Sequence, residues 1–268
     1  MYPTTHIWSD ATWNSFGGCS AVSPGCKNCY AAQLAATQQT AHRIPLHLGT
    51  TDWVRGKPVF NGKMTKLVPG HEGWVWPITW PGAPHPLLGD GKPSLIFVGD
   101  MSDLFHENRP TEIIDRVVTT ITWSSHIGQL LTKRSERMAK YFAQEWSPDT
   151  LRQLQAHLWL GFSAERQKEI DERWAHMRNL ASSGWTVFVS VAPMLGPLLL
   201  PQDFLDLGKR TWVICSGEQG SGARFMKPAW ARSLRDQCLG SGVPFFMRAM
   251  TGKAPILRDL FIRQFPEC

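Results

Sequence analysis

The chain is organised around residues 17–30, which read GGCSAVSPGCKNCY. This stretch places Cys19, Cys26 and Cys29 within eleven residues, with the spacing C-x6-C-x2-C. The glycine, serine and proline around them indicate a loop, and an alanine-rich helical pattern begins at Tyr30. Since the thiolate is the form of cysteine that binds metals, three thiolates on one loop can hold a soft metal centre and leave one coordination position open.

The bulk composition predicts one folded domain. The chain has 268 residues, of which 43% are hydrophobic and 19% charged, so it can bury a sizeable core. No apolar run approaches the roughly 18 residues of a membrane-spanning helix, and residues 1–6 lack the pattern of a secretory signal. We therefore expect a single cytoplasmic domain over residues 1–268. In a reducing compartment, clustered cysteines are more often metal-binding or catalytic than disulfide-bonded.

Charge and tryptophan content favour a nucleic-acid partner. The formal net charge is +6, and 13 tryptophans are many for this length. Basic surfaces attract polyanions, and exposed tryptophans can stack on unpaired bases, although we expect most of them to be structural. No G-x-S-x-G, P-loop, H-E-x-x-H or G-x-G-x-x-G motif occurs, so Ser-His-Asp hydrolysis and nucleoside triphosphate hydrolysis have no support.

Residues 43–93 differ in character from the rest of the chain. They contain 8 of the 19 prolines, 8 of the 23 glycines and 4 of the 13 tryptophans. Such density argues against long helices or strands, and a long irregular stretch in a compact domain is usually functional. We interpret it as an inserted lid held in place by its tryptophans. A surface excursion without a role is the alternative.

After residue 93, apolar strand-like runs alternate with helical patterns. Strands are predicted at 94–99, 127–131, 157–161, 185–191, 211–215 and 243–247, and a first strand near 7–8 or 12–13. Helices are predicted at 30–41, 110–123, 135–146, 149–156, 166–181 and 228–239, with Asn108 and Pro110 opening the second. This alternation predicts an α/β fold, a complete or partial (β/α) TIM-type barrel of six to seven parallel strands. An open doubly wound sheet is the alternative.

Polar residues follow the predicted strands directly. They are Gly99, Asp100 and Ser102, then Lys133 and Arg134, then Ser163 and Glu165, and finally Ser190, Glu218 and Arg248. In either fold, ligands bind at the carboxyl ends of the strands, so we expect these residues to meet near the cysteine loop. The competing interpretation is that each is an ordinary polar loop residue or helix cap.

The residues alone leave three occupants open for the cysteine loop. Structural zinc requires four ligands, and the fourth would have to come from His6, His42 or Glu218. An iron–sulfur cluster is the other soft-ligand centre, and a [4Fe–4S] cluster on three cysteines leaves one iron open. The third possibility is reduced thiols without metal.

Motifs along nearly the whole chain carry a resemblance to a known family. They are TWN at 12–14, GC at 18–19, VSPGC at 22–26, CYA at 29–31, MSDLFH at 101–106, LTKR at 131–134, WLG at 159–161, LGP at 195–197 and SLRDQC at 233–238. With these motifs the sequence resembles an uncharacterised, largely phage-encoded family of radical-SAM-like proteins with a three-cysteine loop.

The resemblance implies a partial (β/α) barrel and a [4Fe–4S] cluster on Cys19, Cys26 and Cys29. S-adenosylmethionine (SAM) would chelate the open iron, and one electron from a donor such as flavodoxin or ferredoxin would release a 5′-deoxyadenosyl radical. By position, Gly99 and Asp100 resemble the segment that holds the methionine amino group. The other implied cofactor-binding residues are Tyr30, Ser102, Ser163, Glu165 and Ser190, and the implied substrate-side catalytic residues are Lys133, Arg134, Glu218 and Arg248.

The sequence departs from the patterns of these families at several points. The common radical SAM spacing is C-x3-C-x2-C, whereas six residues separate Cys19 from Cys26 here. Asn28 stands where an aromatic residue usually precedes the third cysteine. Within the resembled family, Ala192 replaces an acidic residue, and residues 248–250 replace Lys-Gln-Trp. The last two differences imply a substrate different from that of its relatives.

Three functions follow as hypotheses. The first is a radical SAM enzyme that isomerises or otherwise modifies a nucleic-acid base, for instance a hypermodified thymine in phage DNA. The second is a radical SAM enzyme acting on a small metabolite or a peptide. The third, from another class, is a zinc-stabilised nucleic-acid-binding protein without catalysis.

Overall fold

The computed structural model describes residues 6–83 and 92–267. Its strands are β1 (Ala11–Trp13), β2 (Phe16–Gly17), β3 (Thr51–Val54), β4 (Lys57–Phe60), β5 (Thr65–Lys66), β6 (Leu95–Val98), β7 (Ile127–Thr132), β8 (Leu158–Ser163), β9 (Thr186–Val191), β10 (Thr211–Ser216) and β11 (Phe245–Ala249). Its α-helices are α1 (Tyr30–Thr40), α2 (Trp76–Thr79), α3 (Thr111–Thr122), α4 (Ser135–Phe142), α5 (Pro148–His157), α6 (Gln167–Ser182), α7 (Gln202–Leu205) and α8 (Pro228–Gly240).

Seven strands form one parallel sheet in the order β1-β6-β7-β8-β9-β10-β11. Spatial order follows chain order, with helices in the connections, so the sheet is that of a partial (β/α) barrel with β1 and β11 at its ends. This confirms the predicted α/β class and number of strands. The doubly wound alternative is wrong, because in that fold the strand order reverses at a switch point.

The main strands are mostly apolar and are buried along nearly their whole length, as expected of a sheet covered on both faces. All four residues of β6 and all six of β10 are buried. By contact density, the chain divides into two compact units. The first contains the described residues up to Leu131 together with Ser147–Leu158, and the second contains Thr132–Trp146 and the described residues from Trp159 onward.

An aromatic cluster fills the core of the second unit. Trp212 is fully buried, and its ring lies 5.2–5.9 Å from those of Trp159, Phe188, Phe246 and Phe265. Most tryptophans of the described chain are buried in this way, and only Trp53 and Trp123 are among its exposed large hydrophobic residues. The structural role expected for most tryptophans is therefore correct.

Two predicted helix boundaries are wrong. Helix α3 has Pro110 as its N-cap and not Asn108, whose backbone N–H donates to His106 Nδ1 in the preceding turn and whose side chain donates to the carbonyl of Gly62. Helix α4 ends at Phe142 and does not reach Trp146. The indole of Trp146 turns back to donate to the carbonyl of Phe142, 3.3 Å away.

The described part of the 43–93 segment contains no long helix, as expected, but it does contain small sheets. Strands β3 and β4 form an antiparallel hairpin, and β5 pairs with β2. Residues 84–91 of the predicted lid lie outside the described residues. Among residues 6–83 and 92–267, no helix is long and apolar enough to cross a bilayer.

Candidate metal centre

The three cysteines lie on the loop that leads from the first strands into α1. Cys26 is part of a 3-10 turn at Pro24–Asn28, and Cys29 is the N-cap of α1, where the helix dipole favours negative charge. All three side chains are partly exposed, and none is in a disulfide. Three accessible thiols on one loop are a donor set that fits a thiolate-bound iron–sulfur cluster.

No preformed site for a metal ion is seen in the described ranges. Among those residues, no group of three or more His, Cys, Asp and Glu side chains is arranged to hold an ion. The loop cysteines make local contacts: the Cys19 thiol donates to the carbonyl of Ser20 at 3.5 Å, and Cys26 Sγ lies 3.8 Å from Ser23 Oγ.

A buried arginine fixes the start of the loop. Arg109 is only 2% exposed, and its guanidinium donates to the carbonyl oxygens of Gly17 (3.0 Å) and Asp103 (3.1 Å). It also lies over the ring of Phe16, 4.5 Å from the ring centroid. No motif in the sequence analysis indicated this residue.

His106, at the end of the MSDLFH motif, holds the loop beyond Cys19. Its Nδ1 accepts the backbone N–H of Asn108 at 3.0 Å, so in the neutral ring the proton lies on Nε2. That nitrogen is 2.8 Å from Ser20 Oγ and can donate to it. The motif that carried the resemblance therefore supports the cysteine loop directly.

Gly99 is required by its backbone and by its surroundings. Its φ of +72° lies in the left-handed region that favours glycine. A Cβ at this position would lie 2.6 Å from the ring of Phe16. Gly99 therefore permits the tight turn from β6 into the Asp100 segment.

Asp100 has both carboxylate oxygens engaged. His6 Nε2 lies 3.2 Å from Oδ2, and Asn14 Nδ2 donates to Oδ1 at 2.5 Å. Tyr30 donates its hydroxyl to the backbone carbonyl of Asp100 at 2.8 Å, and Ser102 forms a β-bridge with Gly18 of the loop. The structure thus brings the predicted residues Tyr30, Gly99, Asp100 and Ser102 together beside the cysteine loop.

A cavity of about 790 Å³ lies in this first unit. Its walls come from the end of β1, from α1, from Asp100 and from residues 44–79 of the predicted lid. The volume is within the range of small-molecule pockets. His47 in its wall is 2% exposed, and its Nδ1 has no hydrogen-bond partner among the described residues. Burial lowers the pKa of His47, against an opposing effect of the Asp100 charge.

The second unit contains the other predicted site residues, at the carboxyl ends of its strands. Glu165 is fully buried between two cations, with Lys133 Nζ at 3.6 Å and Arg173 Nη1 at 3.4 Å. Ser163 and Ser190 are paired across β8 and β9, and Arg173 donates to the carbonyl of Ser163 at 2.6 Å. Sequence reasoning missed Arg173 because it lies within α6.

Glu218 is paired with an arginine that the sequence analysis did not single out. Arg224 donates from its backbone N–H (2.8 Å) and from Nε (2.9 Å) to one oxygen of Glu218, and from Nη2 to the other. The hydrogen bond and charge of Glu218 raise the pKa of Arg224, and the charge of Glu165 adds to this effect. The two carboxylates therefore belong to one charged cluster. Arg248 Nη1 lies 3.4 Å from Ser216 Oγ, whereas the Arg134 backbone N–H donates to Thr132 Oγ1 at 2.8 Å.

The remaining described cysteines are core residues. Cys215 and Cys238 are completely buried. Burial raises the pKa of Cys215 to about 12, and burial together with Cys215 raises that of Cys238 further. Both are therefore thiols at neutral pH and unsuited to metal binding.

Comparisons with known proteins give one family and one solved structure. A family model described as "Protein of unknown function (DUF5131)" matches residues 4–256. Among solved structures the chain is similar to a mutant of spore photoproduct lyase, with 14% sequence identity and a TM-score of 0.44. The match covers 87% of this chain and 61% of that one, so this chain spans less than two thirds of the length of that protein. A comparison with curated proteins gave no significant match.

Proposed function

The chain belongs to the DUF5131 family of proteins of unknown function, and we propose that it is a radical SAM enzyme with a [4Fe–4S] cluster on Cys19, Cys26 and Cys29. The observation that carries this proposal is the loop itself. It presents three partly exposed thiols, none in a disulfide, between the first strands and α1 of a partial (β/α) barrel. Three cysteine ligands satisfy three irons of such a cluster and leave the fourth open.

When bound, the reduced cluster and SAM supply a one-electron cleavage of the sulfonium that yields methionine and a 5′-deoxyadenosyl radical. The chain's own residues bind and orient. The Asp100 carboxylate, fixed by His6 and Asn14, is suited to accept the amino group of SAM. The Tyr30 hydroxyl keeps the Asp100 backbone in place next to the cysteine loop.

The second-unit residues are assigned by chemistry. Ser163 and Ser190 have hydroxyls that suit the ribose or the carboxylate of SAM. Glu165 is fully buried between Lys133 and Arg173, so we assign it a positioning role that holds these cations.

Lys133 and Arg248, together with Arg134 and Glu218, are the substrate-side residues of the proposal. The side chains of Lys133, Arg134 and Arg248 are half-buried. The excess of positive charge in this group suits a substrate that carries phosphate. A base within a nucleic acid is therefore the proposed substrate.

A small-molecule substrate is the second candidate. The observation that favours it is the cavity of about 790 Å³ beside Asp100. A pocket of this size encloses one drug-sized molecule. An enzyme of this kind would process a free metabolite without binding a polynucleotide.

Metal analysis of cysteine variants tests the proposal. Anaerobically purified protein is expected to be brown and to contain iron and acid-labile sulfide. Cys19→Ser, Cys26→Ser and Cys29→Ser are each expected to lose most of that iron. Cys215→Ala is the matched control. The Cys215 thiol is fully buried and protonated, so the iron content of this variant should stay unchanged. A colourless protein with one tightly bound zinc would overturn the proposal and favour the zinc-stabilised alternative.

A further inference from the structure

The net positive charge of the chain is concentrated around the cysteine loop. Residues 19–66 contain six lysines and arginines against the single acidic residue Asp52, while the whole chain has a net charge of +6. The six cations are Lys27, Arg43, Arg55, Lys57, Lys63 and Lys66, and all of them are exposed. Asp52 accepts a hydrogen bond from the Asn61 amide. This surface is therefore suited to a polyanion.

The hairpin of β3 and β4 presents an exposed aromatic ring within this basic surface. Its two-residue turn, Arg55-Gly56, has positive φ values of +49° and +76°, which is the type I′ geometry that matches strand twist. Trp53 stands opposite Pro58. Counted from the turn, Trp53 and Pro58 are the second pair, after Val54 and Lys57. In a hairpin with a two-residue turn the second pair is not hydrogen-bonded, so the missing N–H of proline costs no ladder hydrogen bond.

Trp53 is 67% exposed. The side chains of successive strand residues alternate between the two faces. Trp53 therefore shares a face with Pro58, opposite to the face of Lys57.

The hairpin is fixed to the cysteine loop. Lys57 Nζ donates to the side-chain oxygen of Asn28 at 2.7 Å, next to Cys29. Asn61 forms a β-bridge with Ser20, and the N–H of Gly62 donates to the carbonyl of Cys19 at 2.9 Å. The hairpin that carries Trp53 is therefore anchored to the segment that contains the three cysteines.

We infer that the β3–β4 hairpin binds a single-stranded segment of nucleic acid. Trp53 stacks on one base, while Arg55, Lys63 and Lys66 contact phosphates. Stacking aromatics interleaved with cations are the surface that single strands require. In a duplex the bases are already stacked and offer no face to an indole, and an anionic membrane offers charge without a ring to stack. The inference deepens the proposed function by naming the substrate class, but the binding itself needs no cluster.

Binding of labelled oligonucleotides to the full-length protein, with no SAM added, tests the inference. The probes are single strands of about 15 nucleotides of DNA and of RNA, and a DNA duplex of the same length. Trp53→Ala is expected to weaken single-strand binding about 10-fold or more, and Trp53→Phe should retain most of it. The control is Trp123→Ala, which removes an indole that is 71% exposed elsewhere in the first unit and should change nothing.

A second variant tests the electrostatic part. Arg55→Asn removes a charge, yet asparagine suits the type I′ turn, so the hairpin should stay folded. The slope of log affinity against log salt concentration is expected to become shallower by the amount that corresponds to about one phosphate contact. Comparison of the DNA and RNA probes decides which nucleic acid is preferred.

Three results would overturn the inference: no binding of any oligonucleotide, equal binding by Trp53→Ala and the parent protein, or Trp53-dependent binding to anionic vesicles and not to single strands. The Cys26→Ser variant separates this inference from the proposed function. This variant is expected to lose its iron and still to bind oligonucleotides as the parent protein does. Nucleic-acid binding by a protein that never acquires iron would refute the proposed function alone.

Discussion

Arg109 fixes the start of the cysteine loop, since its guanidinium donates to the carbonyl of Gly17 and lies over the ring of Phe16. Removing it leaves carbonyl oxygens buried without a donor, and each such group costs about 1–3 kcal/mol. We expect Arg109→Met to lower the free energy of unfolding by about 3 kcal/mol, measured by urea denaturation.

The matched control for this prediction is Arg152→Met. Arg152 is exposed, and its ion-pair partner in the described part of the chain is Asp149 on the same helix, so its loss should change the free energy of unfolding by less than about 0.5 kcal/mol. Equal effects of the two variants would show that Arg109 does not organise the loop.

His47 predicts a pH dependence of stability. Burial lowers its pKa from the ordinary value of 6.5, and the Asp100 charge opposes this only in part. The unfolded chain therefore takes up a proton at a higher pH than the folded chain does. The contribution of His47 to the free energy of unfolding should be fully present above pH 6.5. It should be lost as the pH decreases from 6.5 toward the lower folded-state pKa.

Urea midpoints measured between about pH 7.5 and pH 5.5 check this prediction. The decrease should become smaller in His47→Gln, whereas a substitution of the exposed His42 by Gln should leave it unchanged. A parent protein with the same slope as His47→Gln would contradict the assignment.

At the scale of elements, helix α5 begins with a side-chain cap. Ser147 Oγ accepts the backbone N–H of Thr150 at 3.2 Å, and Pro148 occupies the first turn. Ser147→Ala should cost about 1 kcal/mol in the free energy of unfolding. Ser182→Ala is the control, since that hydroxyl donates back to the carbonyl of Arg178 within its own helix and its loss should be nearly neutral.

The sequence was sufficient to predict the elements whose residues are buried without interruption. Strands such as β6 and β10 are buried throughout and mostly apolar, so neither their existence nor their type depends on distant residues. The β3–β4 hairpin was missed for a physical reason. Its turn is Arg55-Gly56 and not the usual Asn-Gly, and Pro58 argues against a strand unless its partner position is known.

For the whole molecule, the alternation of strands and helices favoured a barrel, in which each parallel strand lies next to the one that precedes it, and the order of the main sheet agrees with this. The environment of Asp100 could not be predicted in the same way. Its partners His6 and Asn14 lie 94 and 86 positions away in sequence, and only the folded chain brings them together. The three cysteines were found because their spacing is local.

The central claim is that the cysteine loop holds a cluster that cleaves SAM. The most direct test is to incubate the anaerobically reconstituted protein with SAM and dithionite and to measure 5′-deoxyadenosine and methionine. We expect both products in equal amounts from the parent protein and neither from Cys26→Ser. A parent protein that carries its full iron and sulfide complement and still leaves SAM intact would contradict the claim.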